Sequence, residues 1–209
     1  MPFPAKTAPP TRQLVLGSTS AYRRQLLERL RISFVVAAPD VDETPLFGEA
    51  PRHLAERLAL AKARAVAQSF PNAVVIGSDQ VADLNGQPLG KPGNHERAVK
   101  QLHLMRGQTV VFQTAVSVVC LESGFEDTQV AAVQVTFRDL DDGEIENYLR
   151  LELPYDCAGS AKSEGLGIAL LSAIDSDDPT ALIGLPLIRT CRMIRAAGID
   201  LLASATLAS

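Results

Sequence analysis

Apolar residues along this chain fall into short runs with two different spacings. Residues 13–17, centred on Leu14, Val15 and Leu16, form a continuous run that predicts a buried strand. Residues 21–31 carry Tyr22, Leu26, Leu27 and Leu30 at helical spacing on one face. Residues 33–39 predict a second strand, and 40–50 a polar loop containing Gly and Pro. Pro51 opens a long helix ending near Phe70, with Leu54, Leu58, Ala61 and Ala65 as its apolar stripe. Residues 73–79 read as a strand whose last residue is Asp79, followed by a tight turn at Asn85-Gly86. A helix over 94–106 stops at Gly107.

Two long β-branched runs follow, 109–122 and 128–140, joined by a turn at 123–127, which predicts an antiparallel hairpin. Asp141 and Glu144 have the spacing of a capping box for a helix over 142–152. Residues 165–174 read as a last strand, and a final helix runs from Pro186 to Gly198. Strands alternate with helices early and pair as a hairpin later. That order predicts an α/β fold, a twisted mixed sheet flanked by helices, with two lobes and a central cleft. Residues 13–199 read as one domain, 1–12 as a proline-rich disordered lead-in, and 200–209 as a small apolar tail.

Composition narrows the class. The chain is 46% hydrophobic and 21% charged, ordinary for a soluble globular protein. No apolar run approaches the roughly 20 residues needed to span a bilayer, and the N-terminus lacks a signal-peptide core, so the expectation is a cytoplasmic protein without membrane attachment. Cys120, Cys157 and Cys191 are odd in number and form no C-x-x-C pair, which predicts buried reduced thiols rather than disulfides or a zinc site. The net charge of −4 argues against nucleic-acid binding. Yet residues 12–31 hold five arginines and one glutamate, a basic front that suits a small anionic ligand.

The chemistry-bearing residues sharpen that expectation. A strand runs into Gly17-Ser18-Thr19-Ser20 and then a helix, a junction whose free backbone N–H groups bind phosphate. Arg23 and Arg24 lie in the helix's first turn, where cations are disfavoured unless an anion sits between. No Walker-type loop or dinucleotide fingerprint is present. Lys62 lies on the buried-side face of its helix, Lys91 between a glycine and a proline, and Lys162 in a loop of small residues. Asp79, at the end of an apolar strand, suits either a proton acceptor for water or a ligand for a divalent metal, with Asp42 and Glu43 close enough in type to join it. Plainer roles also fit: Ser18 and Ser20 as helix caps, Lys62 as a snorkelling lysine, and Asp79 as a turn residue.

Together, residues 14–30, 40–45, 57–66, 75–81, 90–92, 157–168 and 183–187, in that order, resemble the Maf family of nucleotide pyrophosphatases, once described as septum-formation inhibitors. Within the family, the stretches around Gln80 and Glu164 resemble the subgroup acting on 7-methyl-GTP. The resemblance implies hydrolysis of a nucleoside triphosphate between its α and β phosphates, releasing pyrophosphate, with a divalent cation (Mg, Mn or Co) as cofactor and a homodimer as assembly. It implies Asp79 as catalytic residue and Glu43 and Asp79 at the metal. Ser18, Arg23, Arg24, Lys62, Lys91 and Lys162 would hold phosphates, and Tyr22, Gln80 and Glu164 would select the base. Two other functions stay open on sequence: a pyrophosphatase for a different modified or ordinary nucleotide, and a non-catalytic nucleotide-binding regulator of cell division.

Overall fold

The computed structural model describes residues 12–202, so nearly all of the expected lead-in and most of the C-terminal tail lie outside the described residues. The elements in chain order are β1 (Leu14–Gly17), α1 (Ala21–Glu28), β2 (Phe34–Ala37), α2 (Pro51–Ala67), β3 (Val74–Leu84), β4 (Gln87–Leu89), α3 (His95–Met105), β5 (Thr109–Cys120), β6 (Phe125–Phe137), α4 (Asp142–Glu152), β7 (Leu171–Asp175) and α5 (Leu187–Ala196). Short 3₁₀ turns occupy Ala158–Ser160, Leu166–Leu170 and Ala181–Ile183.

The strands form one seven-stranded mixed sheet in the order β2-β1-β3-β5-β6-β7, with β4 also paired to β3. β1 runs parallel to β2 and β3, and the other pairs are antiparallel. The expected mixed α/β architecture is thus present. Side chains on a strand alternate between faces, and the register sorts the core accordingly. Val75, Val81, Ala115 and Val119 face α2. Ile76, Ala82, Phe112 and Val116 face the other way, where two separate clusters form. Leu26 and Leu27 of α1 pack there with Met193 and Ile194 of α5, while Leu102 of α3 packs with Ile145 and Leu149 of α4. These clusters are the two lobes, hung on shared central strands.

Local signals held in several places. Asp141 Oδ1 accepts from Glu144 N at 2.8 Å, and Glu144 Oε2 accepts from Asp141 N at 3.0 Å, the reciprocal capping box. Asn85 and Gly86 both have positive φ, as a two-residue hairpin turn requires.

Other elements differ from the sequence reading, each for a tertiary reason. β3 does not end at Asp79 but runs on to Leu84, because β5 continues to pair with it as far as Asp83. The buried face of α2 is two rows wide, with Leu54, Leu58, Lys62 and Val66 beside Ala55, Ala59, Ala63 and Ala67; Ala61 and Ala65 sit at its margin. A helix lying flat on a sheet buries more than one stripe. Residues 165–174 are not one strand, because Gly167 folds against the backbone of Lys162 before β7 begins at Leu171. Of the three free cysteines only Cys120 is buried; Cys157 and Cys191 are half-buried.

Candidate active site

The site lies where β3 lacks a neighbour. β1 pairs with β3 only as far as Gly77, and β4 pairs with it only from Ala82 onward. Residues 78–81 therefore have a strand on one side only, β5. A cleft of about 870 Å³ opens at that bare edge, within the usual range for small-molecule sites. Because it wraps the edge, it meets side chains from both faces of β3. Asp79 points to the α2 side, and Gln80 to the opposite side.

Lys62, 5% exposed, and Asp79, 8% exposed, meet at this edge. Lys62 Nζ is 2.6 Å from Asp79 Oδ1 and 2.7 Å from Glu43 Oε1. The contact depends on Gly77, two residues before Asp79. A Cβ there would stand 2.3 Å from Ala59 O and 2.5 Å from Ala63 N, so only glycine lets α2 lie this close. Glu43 is brought in by the loop between β2 and α2. Arg57 of α2 ties that loop down, donating to both oxygens of Glu49 at 2.7 and 2.8 Å and to Thr44 O at 3.1 Å. The Arg57 hydrogen bonds pull the Glu49 carboxyl down to about 2. Burial by itself would raise the Glu43 carboxyl. The hydrogen bond from Lys62 and the charges of Lys62, Lys91 and Arg23 outweigh it, and the carboxyl ends below its usual range.

The turn into α1 supplies the next groups. Ser20 caps the helix, its side chain accepting from Arg23 N at 3.4 Å. Ser18 Oγ accepts from Ser20 N at 3.2 Å and from Arg23 Nη1 at 3.5 Å. Arg23 Nε donates to Gly184 O at 2.8 Å, fixing the guanidinium against the far wall. Burial lowers its pKa, opposed by the charges of Asp79 and Glu43. Lys91 also lines the cleft and is exposed, without a hydrogen bond or ion pair to any described residue. Arg24 does not join this group. One residue round the helix from Arg23, its side chain is 63% exposed and pairs with Glu28 at 2.9 Å, lining a separate shallow groove.

A second group surrounds Tyr22. Burial, then the neighbouring Cys157 and Asp156, raise its hydroxyl pKa. Burial likewise pushes the Cys157 thiol up to about 12. Asp156 and Glu164 line the cleft here, and neither forms an ion pair among the described residues. Gln80 donates its amide N–H groups to Thr114 Oγ1, Ala181 O and Leu182 O at 2.9 to 3.0 Å, leaving its carbonyl oxygen as the free polar end. Lys162 is not among the lining residues. Its Nζ binds Glu152 Oε1 at 2.7 Å and stands 5.7 Å from the centre of the Tyr22 ring. Of the residues expected at phosphates, the structure thus gathers Ser18, Arg23, Lys62 and Lys91, and leaves Arg24 and Lys162 outside. Asp42, also outside the lining, accepts from Thr44 N within its own loop at 2.8 Å.

Residues 13–197 match the family model described as Maf-like protein. The chain belongs to the Maf family. Among similar proteins, one from Polaromonas sp. (strain JS666 / ATCC BAA-500) named 7-methyl-GTP pyrophosphatase is 76% identical over 207 residues, covering 97% of this chain and 94% of its own. Proteins of the same name from Albidiferax ferrireducens and Methylobacillus flagellatus are 70% and 56% identical, over 93% and 90% of this chain and 98% of each relative. No described helix is long and apolar enough to cross a membrane.

Sequence reasoning missed Asp156 and Cys157 as lining residues of this Maf cleft. Cys157 opens the stretch 157–168 without being named as a site residue, and Asp156 has no local signal; both reach the cleft where the chain turns back past α1 after the left-handed Leu153 that ends α4. Pro88, Leu89 and Gly90 also reach the cleft, carried by the short return strand β4.

Proposed function

We propose that this chain hydrolyses 7-methyl-GTP between its α and β phosphates, releasing 7-methyl-GMP and pyrophosphate. The observation that carries this reading is the polarity of the cleft. Around Asp79 it offers Arg23, Lys62 and Lys91; around Tyr22 it offers an aromatic ring with Asp156 and Glu164, both without an ion-pair partner among the described residues. Methylation at N7 gives guanine a positive charge, so 7-methyl-GTP has a cationic ring at one end and a polyanion at the other. A cationic ring over an aromatic face gains about 0.5–2 kcal/mol. Glu164 and the free carbonyl of Gln80 are acceptors for the N–H groups of the guanine edge.

At the phosphate end, Arg23 presents a planar fork held by Gly184 O, with Lys91 and the Ser18 hydroxyl beside it. These groups orient the triphosphate and stabilise charge on the departing pyrophosphate, where most of the catalytic effect in phosphoryl transfer arises. Asp79 Oδ1 is held by Lys62, while Oδ2 makes no hydrogen bond to a described residue. That free oxygen accepts the proton of the attacking water as its oxygen bonds to phosphorus and the bridging P–O bond breaks.

The residues fit a divalent cation brought by the nucleotide. No group of three or more His, Cys, Asp or Glu among the described residues could hold a metal alone. Glu43 nonetheless keeps a carboxylate oxygen free of hydrogen bonds, a hard donor that suits Mg²⁺ or Mn²⁺ when phosphate oxygens and water complete the shell; Asp79 Oδ2 would join it only in place of its role as proton acceptor. Such an ion would neutralise phosphate charge as the bond breaks. The half-buried free thiols suit the reducing cytoplasm as the site of action.

The test is pyrophosphate release from a panel of nucleoside triphosphates, with and without Mg²⁺, Mn²⁺ and Co²⁺. The expected result is metal-dependent turnover with the highest kcat/KM for 7-methyl-GTP. Higher kcat/KM for dTTP, UTP or unmethylated GTP would reassign the base pocket, and binding without turnover would remove the enzymatic reading.

A further inference from the structure

Glu152 is the last residue of α4, the end of a helix where the macrodipole disfavours an anion. It lies outside the cleft lining, and no step described above uses it. Its side chain is nonetheless well covered and fully engaged, at 14% exposed. Oε1 accepts from Lys162 Nζ at 2.7 Å, and Oε2 accepts from Leu166 N at 2.7 Å. One carboxylate thus grips both ends of the segment 162–166, and Glu164 is its middle residue.

The segment is shaped for that grip. A Cβ on Gly165 would stand 2.8 Å from Glu152 Oε2 and 2.9 Å from Oε1. Gly165 N donates to Lys162 O at 3.0 Å, closing the turn. A Cβ on Gly167 would stand 2.5 Å from Lys162 O. From inside α4, the Tyr148 hydroxyl accepts from Lys162 N and donates to Ser160 O, both at 3.1 Å. The same Lys162 ammonium that Glu152 holds stands over the Tyr22 ring. The backbone of the turn that carries Glu164 to the cleft is therefore held from both ends, and the clamped ammonium stands 5.7 Å from the centre of the Tyr22 ring.

We propose that Glu152 is a positioning residue for base selection, acting through the Lys162 clamp on Glu164 and Tyr22 and touching no substrate atom. This rests on the reading of Glu164 and Tyr22 given above. It also gives Lys162 a different role from the phosphate contact that the sequence suggests.

The experiment measures kcat and KM for 7-methyl-GTP and GTP in the unmodified protein and in Glu152→Gln, Glu164→Ala and the double variant. Glu152→Gln keeps an acceptor for Leu166 N and removes the charge that holds Lys162. The expected result is a fall of about threefold to tenfold in the preference for 7-methyl-GTP, mainly through KM, that vanishes when Glu164 is already alanine. Lys162→Met cuts the clamp from the other side and keeps the inference testable if Glu152→Gln folds poorly. It should lower the same preference, whereas loss of a phosphate contact would reduce kcat/KM for both nucleotides alike. A preference unchanged in Glu152→Gln but altered in Glu164→Ala overturns the clamp and spares the base reading. No change in Glu164→Ala overturns both.

Discussion

Lys62 and Asp79, 17 residues apart in sequence, are joined by a hydrogen bond of 2.6 Å whose length is set by a third residue that has no side chain. Gly77 lets α2 settle onto β3 at Ala59 and Ala63, and this brings the lysine over the strand edge. Gly77→Ala forces a Cβ against backbone atoms, which cannot swing aside as a side-chain tip can. The expected loss of stability is about 1–3 kcal/mol, accompanied by loss of turnover as Lys62 and Asp79 separate. Urea denaturation and a pyrophosphate assay on the same preparation check both, and a variant as stable and as active as the parent would contradict this account of the packing.

Asp79→Asn keeps the shape of the side chain and removes its charge. Turnover should fall on the order of 10²-fold or more, because the variant has no carboxylate oxygen to take the proton from water. Lys62 then has Glu43 as its remaining carboxylate partner. Steady-state kinetics with a near-normal kcat would exclude Asp79 as proton acceptor.

Neighbouring arginines should behave differently. Arg23→Ala removes a guanidinium that faces the cleft from its anchor at Gly184 O, and kcat/KM should fall on the order of 10-fold to 10²-fold, as loss of a charged hydrogen-bonding partner does. Arg24→Ala removes an exposed partner of Glu28 and should change kcat/KM less than about twofold, since such surface pairs contribute little. Equal losses in the two variants would show that α1 is rotated relative to the arrangement described.

Cys157 lines the cleft, yet its thiol is pushed up to about 12, chiefly by burial and then by Asp156. Alkylation proceeds through the thiolate. The sign follows directly: a raised pKa means less thiolate at any pH below it. At pH 8.5 a free cysteine is about half ionised and Cys157 scarcely at all, so its iodoacetamide reaction should be at least about tenfold slower than that of free cysteine. Peptide-resolved mass spectrometry of a time course measures this, and a rate equal to free cysteine would contradict the environment assigned to it.

Much of the fold was legible because its signals are local. The capping box at Asp141 and Glu144, the Asn85-Gly86 turn and the β-branched hairpin strands each depend on a few adjacent residues. What escaped depends on neighbours distant in sequence. The extension of β3 past Asp79 exists because β5 lies alongside, and the double-width face of α2 exists because a glycine lies beneath it. The site followed the same rule. Arg23 and Arg24 are alike as sequence, but about 100° of helical rotation sends one into the cleft and the other to solvent. Lys162 carries the same charge as Lys91, but Glu152 has claimed it. Asp156 had no pattern to mark it.

Asp79 and Gln80 are consecutive residues whose side chains leave β3 on opposite sides, one toward α2 and the other toward the 181–183 turn. Adjacency in the gene therefore does not mean coupling in the protein. The Gln80 side chain makes its hydrogen bonds to Thr114, Ala181 and Leu182, and the Lys62 cluster with Glu43 and Asp79 lies across the strand from it. On the roles proposed for these two residues, selection for a new nucleotide would act on one codon while the neighbouring codon, the one proposed to serve hydrolysis, stays fixed, so substrate range in such a scaffold would diversify without passing through inactive ancestors.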